Sequence, residues 1–176
     1  MIPNNIEVLI SREEVEKRIK ELAQQIENDY RDKDLICIGL LKGSVLFLCD
    51  LVKEIKLPLV IDFMNVSSYG DETVSRGVVR IVKDTDLDVK DKDILLVEDI
   101  IDTGYTLDYV KNMIKMKGAK SVKCISLLDK PERRKVNIEA DYIGFKVPDK
   151  FVIGYGLDYI QKYRNLPYIA VWKEEV

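Results

Sequence analysis

Ile94-Leu95-Leu96-Val97-Glu98-Asp99-Ile100-Ile101-Asp102-Thr103-Gly104-Tyr105-Thr106 is the stretch on which the fold turns. Four apolar residues open it, the length and composition of a strand buried on both faces. Two adjacent carboxylates, Glu98 and Asp99, follow in what reads as an acidic turn, with a third at Asp102. A Thr-Gly-Tyr-Thr loop comes next, and then Leu107, Val110, Met113 and Ile114 recur at helical spacing, with Gly118 where a C-terminal cap belongs. The segment therefore predicts a strand, an acidic turn, a hydroxyl-rich loop and a helix in succession.

That order has a chemical reading. A Thr-Gly-x-Thr loop at a helix N-terminus offers backbone N–H groups, two hydroxyls and the positive end of a dipole, which suits a phosphate monoester. Carboxylates would repel a phosphate, so Glu98 and Asp99 must face something else, such as the hydroxyls of a ribose with a divalent cation nearby. A ribose 5-phosphate meets both demands. The competing reading is a βα turn whose acids cap the following helix.

Working outward, Ser11-Arg12-Glu13-Glu14 is a capping box, and Val15, Ile19, Leu22 and Ile26 form an apolar stripe, predicting a helix over about 12–28. Leu35 to Leu40 predicts a second buried strand, followed by Leu41-Lys42-Gly43-Ser44 and a helix carrying Val45, Leu48, Leu51, Val52 and Ile55. This repeats the strand–turn–helix anion logic with a cation added. Strands are expected at 59–66 and 78–82, around a polar segment from Ser67 to Gly77 that reads as a hairpin tip. Further strands are expected at 122–128, 141–145, 151–154 and 169–172, the first running into Asp129-Lys130-Pro131-Glu132-Arg133-Arg134. In an open α/β sheet ligands sit beyond the carboxyl ends of strands, which places Lys130 to matter, although a lone lysine in a charged run is ordinarily solvated. Gly154-Tyr155-Gly156 begins like a dinucleotide fingerprint but lacks its third glycine and a following helix, and is rejected.

Composition narrows the function classes. The 176 residues are 47% hydrophobic and 34% charged, which predicts one globular domain over 1–176. No run is apolar enough to span a bilayer, and Met1 to Asn5 lacks the features of a signal peptide, so no membrane partner and a cytoplasmic location are expected. The net charge of −3 gives no bulk attraction for nucleic acid. Cys37, Cys49 and Cys124 lie in apolar segments and read as buried free thiols in a reducing compartment. Histidine is absent, which removes Ser-His and Cys-His catalysis and leaves acid–base work to carboxylate, Lys or Tyr.

Val97 to Thr106 resembles the phosphoribosyl-pyrophosphate (PRPP) motif of the type I phosphoribosyltransferases, and its Glu-Asp-Ile-Ile-Asp-Thr-Gly form resembles that of the 6-oxopurine branch, the hypoxanthine-guanine enzymes. The resemblance extends over nearly the whole chain. It implies an α/β fold with a central parallel sheet flanked by helices, and a small hood built from N- and C-terminal segments. It implies purine salvage: Mg²⁺-dependent transfer of 5-phosphoribose from PRPP to hypoxanthine or guanine, giving IMP or GMP and pyrophosphate. Glu98, Asp99, Asp102, Thr103, Gly104, Tyr105 and Thr106 would hold the ribose 5-phosphate, with Asp102 near the purine N7 as the catalytic general base or hydrogen-bond partner. Lys42, Gly43 and Arg164 would contact pyrophosphate, and the peptide before such a lysine is often cis in the family. Ser68 and Tyr69, in Ser68-Tyr69-Gly70, match the lid. Lys130 would donate to the purine 6-oxo group, Phe151 would stack on the base, the Val152 backbone would read its edge, and Asp158, with Glu98 and Asp99, would hold magnesium. Tyr105 stands where some relatives carry Lys, and Asn65 where some carry a basic residue, which leaves the 5-phosphate to the backbone. A homodimer or homotetramer is expected. The rival classes are a regulator that kept the fold and binds RNA, for which a basic face is lacking; a phospho-acceptor receiver domain, for which too little chain follows Asp99; and a sister enzyme for xanthine, adenine or orotate.

Overall fold

Strands that read as continuous apolar runs need cover on both faces, and helices provide it. The computed structural model describes residues 5–69 and 78–173, and side chains at 68, 69 and 78 are outside that description. The chain runs β1 (Ile6–Ile10), α1 (Arg12–Asp29), β2 (Leu35–Leu41), α2 (Val45–Glu54), β3 (Leu59–Tyr69), β4 (Val78–Lys83), β5 (Asp93–Ile101), α3 (Tyr105–Met116), β6 (Ser121–Asp129), β7 (Tyr142–Lys146), β8 (Val152–Ile153) and β9 (Ile169–Trp172), with a 3-10 turn at Pro131–Arg133. Six strands form one sheet in the order β4-β3-β2-β5-β6-β7, parallel except for β4, which pairs antiparallel with β3. A second, antiparallel sheet of β1, β9 and β8 joins the two ends of the chain.

Period-2 alternation sorts the sheet into two cores. Leu35 and Cys37 of β2, Leu95 and Val97 of β5 and Ile125 and Leu127 of β6 face α1 and α2. Ile36 and Ile38, Ile94 and Leu96, and Val122 and Cys124 face α3 through Leu107, Val110 and Ile114. Each fully buried Leu or Ile on these faces contributes about 1.5–3 kcal/mol. The capping box is present at α1, where Glu14 N–H donates to Ser11 Oγ at 3.2 Å and Ser11 N–H to Glu14 Oε2 at 2.8 Å. Gly118, at φ +88°, follows α3 in the left-handed conformation that ends helices.

Four expectations are corrected. β5 does not stop at Val97: its ladder with β6 continues through Glu98↔Ser126 to Ile101↔Asp129, so the carboxylates lie on a strand, not in a turn. Helix α3 starts at Tyr105, which puts Tyr105 and Thr106 in its first turn. Cys49 is exposed, because it lies on the outer face of α2, whereas Cys37 and Cys124 are buried. β1 had no counterpart among the expected strands; its half-exposed, edge-like Ile-Glu-Val-Leu-Ile pattern is a weak signal until β9 is there to pair with it. No helix among the described residues is long and apolar enough to cross a membrane.

Candidate active site

The strand order reverses between β2 and β5, since the chain leaves β2 toward β3 on one side and leaves β5 toward β6 on the other. That switch point opens a crevice at the carboxyl ends of the two strands. Both outgoing helices begin there, and neither α2 nor α3 has a side-chain cap: Ser44 Oγ donates to the Leu40 carbonyl instead, and Gly104 has no side chain to offer. Two sets of first-turn N–H groups therefore face one crevice uncapped, a strongly anion-seeking arrangement. Lys42 and Gly43, after β2, lie on one side of this crevice, and Thr103, Gly104, Tyr105 and Thr106, after β5, on the other. The Leu41–Lys42 peptide is cis.

Glu98 and Asp99 sit between those walls. Glu98 Oε2 is buried without a hydrogen-bond partner among the described residues. Burial, and secondarily the adjacent Asp99 charge, push the Glu98 carboxyl well above the usual range. Burial also raises Asp99, against the pull of the Ile100 amide and of Arg164. Asp99 lies so close to Gly43 that a Cβ at position 43 would fall 1.5 Å from its Oδ2. The glycine is what lets the carboxylate reach the lysine loop.

The segment between β8 and β9 covers this wall from the hood. A Cβ on Gly156 would come within 1.9 Å of the Gly43 carbonyl oxygen, and φ of +101° makes glycine the only comfortable residue there. Arg164 Nη1 donates to the Gly156 carbonyl at 2.6 Å, and its Nη2 lies 2.7 Å from Asp158 Oδ1. Gln161 Oε1 accepts from Lys42 Nζ at 3.2 Å and from Arg164 Nη2 at 3.3 Å, so one neutral oxygen gathers both cations expected to meet pyrophosphate.

Beyond the other wall lies an ionic cluster. Lys130 is 6% exposed, and burial lowers its pKa against the opposing pull of Asp102 and Asp149. Arg133 Nε is 2.7 Å from Asp102 Oδ1, and its Nη1 donates to Asp149 Oδ1 at 3.3 Å. Arg134 donates to the Asp102 carbonyl at 3.1 Å and pairs with Asp129. Phe151 is 52% exposed, with its ring edge-on to Tyr159, a surface free for stacking; Val152 is buried in β8. Arg133, Asp149 and Gln161 were given no role in the sequence, where the first two belong to ordinary charged runs, and Gly156 was read only as part of a rejected dinucleotide fingerprint.

The structure thus brings Lys42, Gly43, Glu98, Asp99 and Arg164 together at one wall, and Asp102 with Lys130 at another. It does not gather Glu98, Asp99 and Asp158 into one cage, and among the described residues no group of three potential ligands converges on a metal position. Both Asp158 oxygens are engaged, one by Arg164 and one by the Gln161 amide. The donor set still fits a hard divalent cation that brings most of its own oxygens, because the Glu98–Asp99 pair is anionic, oxygen-only and has a buried oxygen without a partner. Ser68 and Tyr69, expected to belong to a lid, end β3, and Gly70 lies outside the described residues.

Comparison with known proteins agrees with this geometry. The phosphoribosyl transferase domain profile matches residues 9–160. A hypoxanthine-guanine phosphoribosyltransferase of Bacillus subtilis is 52% identical over 177 residues, covering 100% of this chain and 98% of that protein. A bifunctional TilS/HprT protein of Listeria monocytogenes is 51% identical over 169 residues, which is 96% of this chain and 26% of that longer protein. The crystal structure of a hypoxanthine phosphoribosyltransferase from Staphylococcus aureus superposes with a TM-score of 0.93 at 48% identity, covering 97% of this chain and 93% of that one. With switch point, uncapped helix starts and full-length similarity in agreement, the chain belongs to the phosphoribosyl transferase domain family and, within it, to the hypoxanthine-guanine phosphoribosyltransferases.

Proposed function

We propose that this protein transfers the 5-phosphoribosyl group of PRPP to N9 of hypoxanthine or guanine, forming IMP or GMP and releasing pyrophosphate. The observation that carries the reading is the half-buried Glu98–Asp99 pair, with one buried and unpartnered Glu98 oxygen, between two uncapped helix N-termini at the sheet's switch point. Anion sites on both sides of a diol-seeking carboxylate pair match a ribose with phosphate at C5 and pyrophosphate at C1.

In this reading the amides and hydroxyls of Thr103, Gly104, Tyr105 and Thr106 hold the 5-phosphate, and Glu98 and Asp99 accept from the ribose hydroxyls. Lys42, the Gly43 amide and Arg164 meet the charge that grows on the departing pyrophosphate, preorganised donors being the largest expected contribution. Asp102 takes the proton from purine N7 as N9 bonds to C1 of the ribose. Phe151 stacks on the base, the Val152 backbone reads its edge, and Lys130 donates to the 6-oxo oxygen, which selects against a 6-amino group. The lid residues Ser68 and Tyr69 exclude water from the reacting ribosyl centre. Glu98 and Asp99 together, and Asp158 separately from them, are the residues that would hold Mg²⁺, which would supply positive charge toward the pyrophosphate. A dimer or tetramer and a reducing, cytoplasmic setting complete the proposal, two buried free thiols being consistent with the latter.

The test is direct. The protein is mixed with PRPP and Mg²⁺ and offered hypoxanthine, guanine, xanthine or adenine, with nucleotide and pyrophosphate followed. Turnover with the first two, lost on chelation and restored by Mg²⁺, is the expected result. Binding of PRPP with no turnover of any base would replace the reading with that of a regulator.

A further inference from the structure

The cluster around Lys130 contains a residue that the reaction outlined above does not use. Lys130 is 6% exposed and ends in an ammonium with three donors, yet among the described residues its Nζ makes no hydrogen bond; the nearest acidic oxygen, Asp149 Oδ1, is 4.0 Å away. An ammonium in such a place ordinarily captures any carboxylate within reach, because leaving it unpaired is costly. Two carboxylates lie in this cluster, and Arg133 pairs with both: it hydrogen-bonds Asp149 and makes a close ion pair with Asp102, whose Oδ1 accepts no hydrogen bond among the described residues. Arg133 Nε sits 2.7 Å from Asp102 Oδ1, and its Nη1 donates to Asp149 Oδ1 at 3.3 Å. The same turn carries both cations: the Arg133 amide closes the 3-10 turn onto the Lys130 carbonyl at 3.2 Å, and the Lys130 amide donates to the Ile101 carbonyl at 2.9 Å. The guanidinium fork is rigid and matches two carboxylates at once, which a lysine cannot do.

We infer that Arg133 is a positioning residue for purine recognition: by holding Asp102 and Asp149 it keeps both carboxylates off Lys130 and leaves the ammonium's donors for the exocyclic oxygen of the incoming base. The inference rests on the function proposed above and adds a specificity determinant to it. Arg133 ties together the end of β5, the turn after β6 and the approach to β8, the three elements that would enclose the purine. It acts through Lys130 and does not itself need to touch the base. Without it, Asp149, on an exposed approach to β8, has only a short distance to close before it bonds Lys130, and an entering 6-oxopurine must then break an ion pair before it binds.

The experiment measures KM for hypoxanthine and for PRPP separately in wild type, Arg133→Gln, Arg133→Lys and the double variant Arg133→Gln with Asp149→Asn. Arg133→Gln is expected to raise KM for hypoxanthine about threefold to fivefold, the upper scale of a partly exposed competing ion pair, with KM for PRPP unchanged. Arg133→Lys is expected to retain part of the effect, and the double variant to recover part of the lost hypoxanthine affinity, because one of the two competing carboxylates is gone. The Arg133 side chain is 46% exposed, so a neutral replacement leaves the core intact, and Arg133→Leu provides a second neutral variant with the same expected split. An unchanged hypoxanthine KM, a parallel rise in both KM values, or a double variant no better than Arg133→Gln would each overturn the inference. A wild-type protein that turns over no purine base would instead overturn the proposed function, and that result is seen before any variant is made.

Discussion

Replacing Gly43 by Ala tests the closeness on which the PRPP site depends. The added Cβ would lie 1.5 Å from Asp99 Oδ2 and 2.5 Å from its Cγ, whereas ordinary contact begins at 3.4 Å. The carboxylate must therefore retreat by about 2 Å, far more than thermal adjustment of a packed side chain allows. It cannot do so and keep its 2.7 Å bond from the Ile100 amide, and the way out leads toward Glu98. One charge-assisted hydrogen bond to the ribose is then lost, worth about 1.5–3 kcal/mol. That predicts a fall of about tenfold to a hundredfold in kcat/KM for PRPP. Overpacking adds a stability loss of about 1–3 kcal/mol, read by urea unfolding. Steady-state kinetics at saturating hypoxanthine separates the two, because the variant remains folded well below its midpoint. A kcat/KM for PRPP within about threefold of wild type would refute the reasoning, since a difference that small is under 1 kcal/mol and Asp99 would then be contributing no ribose bond.

Other outcomes follow from the same cluster of residues. Asp102→Asn is expected to lower kcat about a hundredfold or more with both KM values little changed, as loss of a general base does; an unchanged kcat in stopped-time assays would remove its catalytic role. Lys130→Met is expected to raise the KM for hypoxanthine while stabilising the protein by about 1–3 kcal/mol at neutral pH, because a buried ammonium without a hydrogen bond is replaced by an apolar chain. The sign with pH follows from burial lowering the Lys130 pKa: the unfolded lysine holds its proton more tightly, so the penalty is complete below the lowered folded value and fades as pH rises toward 10.5. The gain from Lys130→Met should therefore shrink in alkaline melts. Asp29 behaves oppositely, its carboxyl lowered by hydrogen bonds from Lys123 and Tyr142. Asp29→Asn should destabilise by under about 1 kcal/mol at neutral pH, the side chain being 44% exposed, and the difference should vanish as unfolding is measured at pH falling below the usual 3.8.

Most of the sheet was legible because its strands are near-continuous apolar runs and its helices carry clean stripes. The turn chemistry after β2 and β5 could be read for the same reason, since the anion logic of a strand–loop–helix junction is local. What escaped was non-local. The extension of β5 through Glu98 to Ile101 depends on the ladder with β6, and two adjacent acids argue against a strand until a partner is present to pair with. β1 is half exposed and paired only with β9, which lies at the far end of the chain. Arg133 and Asp149 each belong to charged runs that read as solvent-facing, and only the fold brings their charges to within 3.3 Å. Gln161 carries no motif at all, and its role as a shared acceptor for Lys42 and Arg164 exists only once the hood is seated.

The hood is what turns two helix starts into one site. The crevice between β2 and β5 would form in any doubly wound sheet with this order, and its amides alone would bind phosphate without discrimination. Specificity for a ribose bearing two phosphates requires a wall that reaches across from Lys42 to Asp99. The β8–β9 segment supplies it through the contact of Gly156 with the Gly43 carbonyl and through Arg164, whose charge pulls the Asp99 carboxyl down against burial. That segment is anchored in turn by β9 pairing with both β8 and β1, so the first and last strands brace the loop that carries Gly156 and Arg164. The N-terminal strand, although it contributes none of the assigned site residues, is thus part of the machinery that positions Arg164. The contacts it supports reach across more than a hundred residues of sequence, and they form only when sheet and hood fold together.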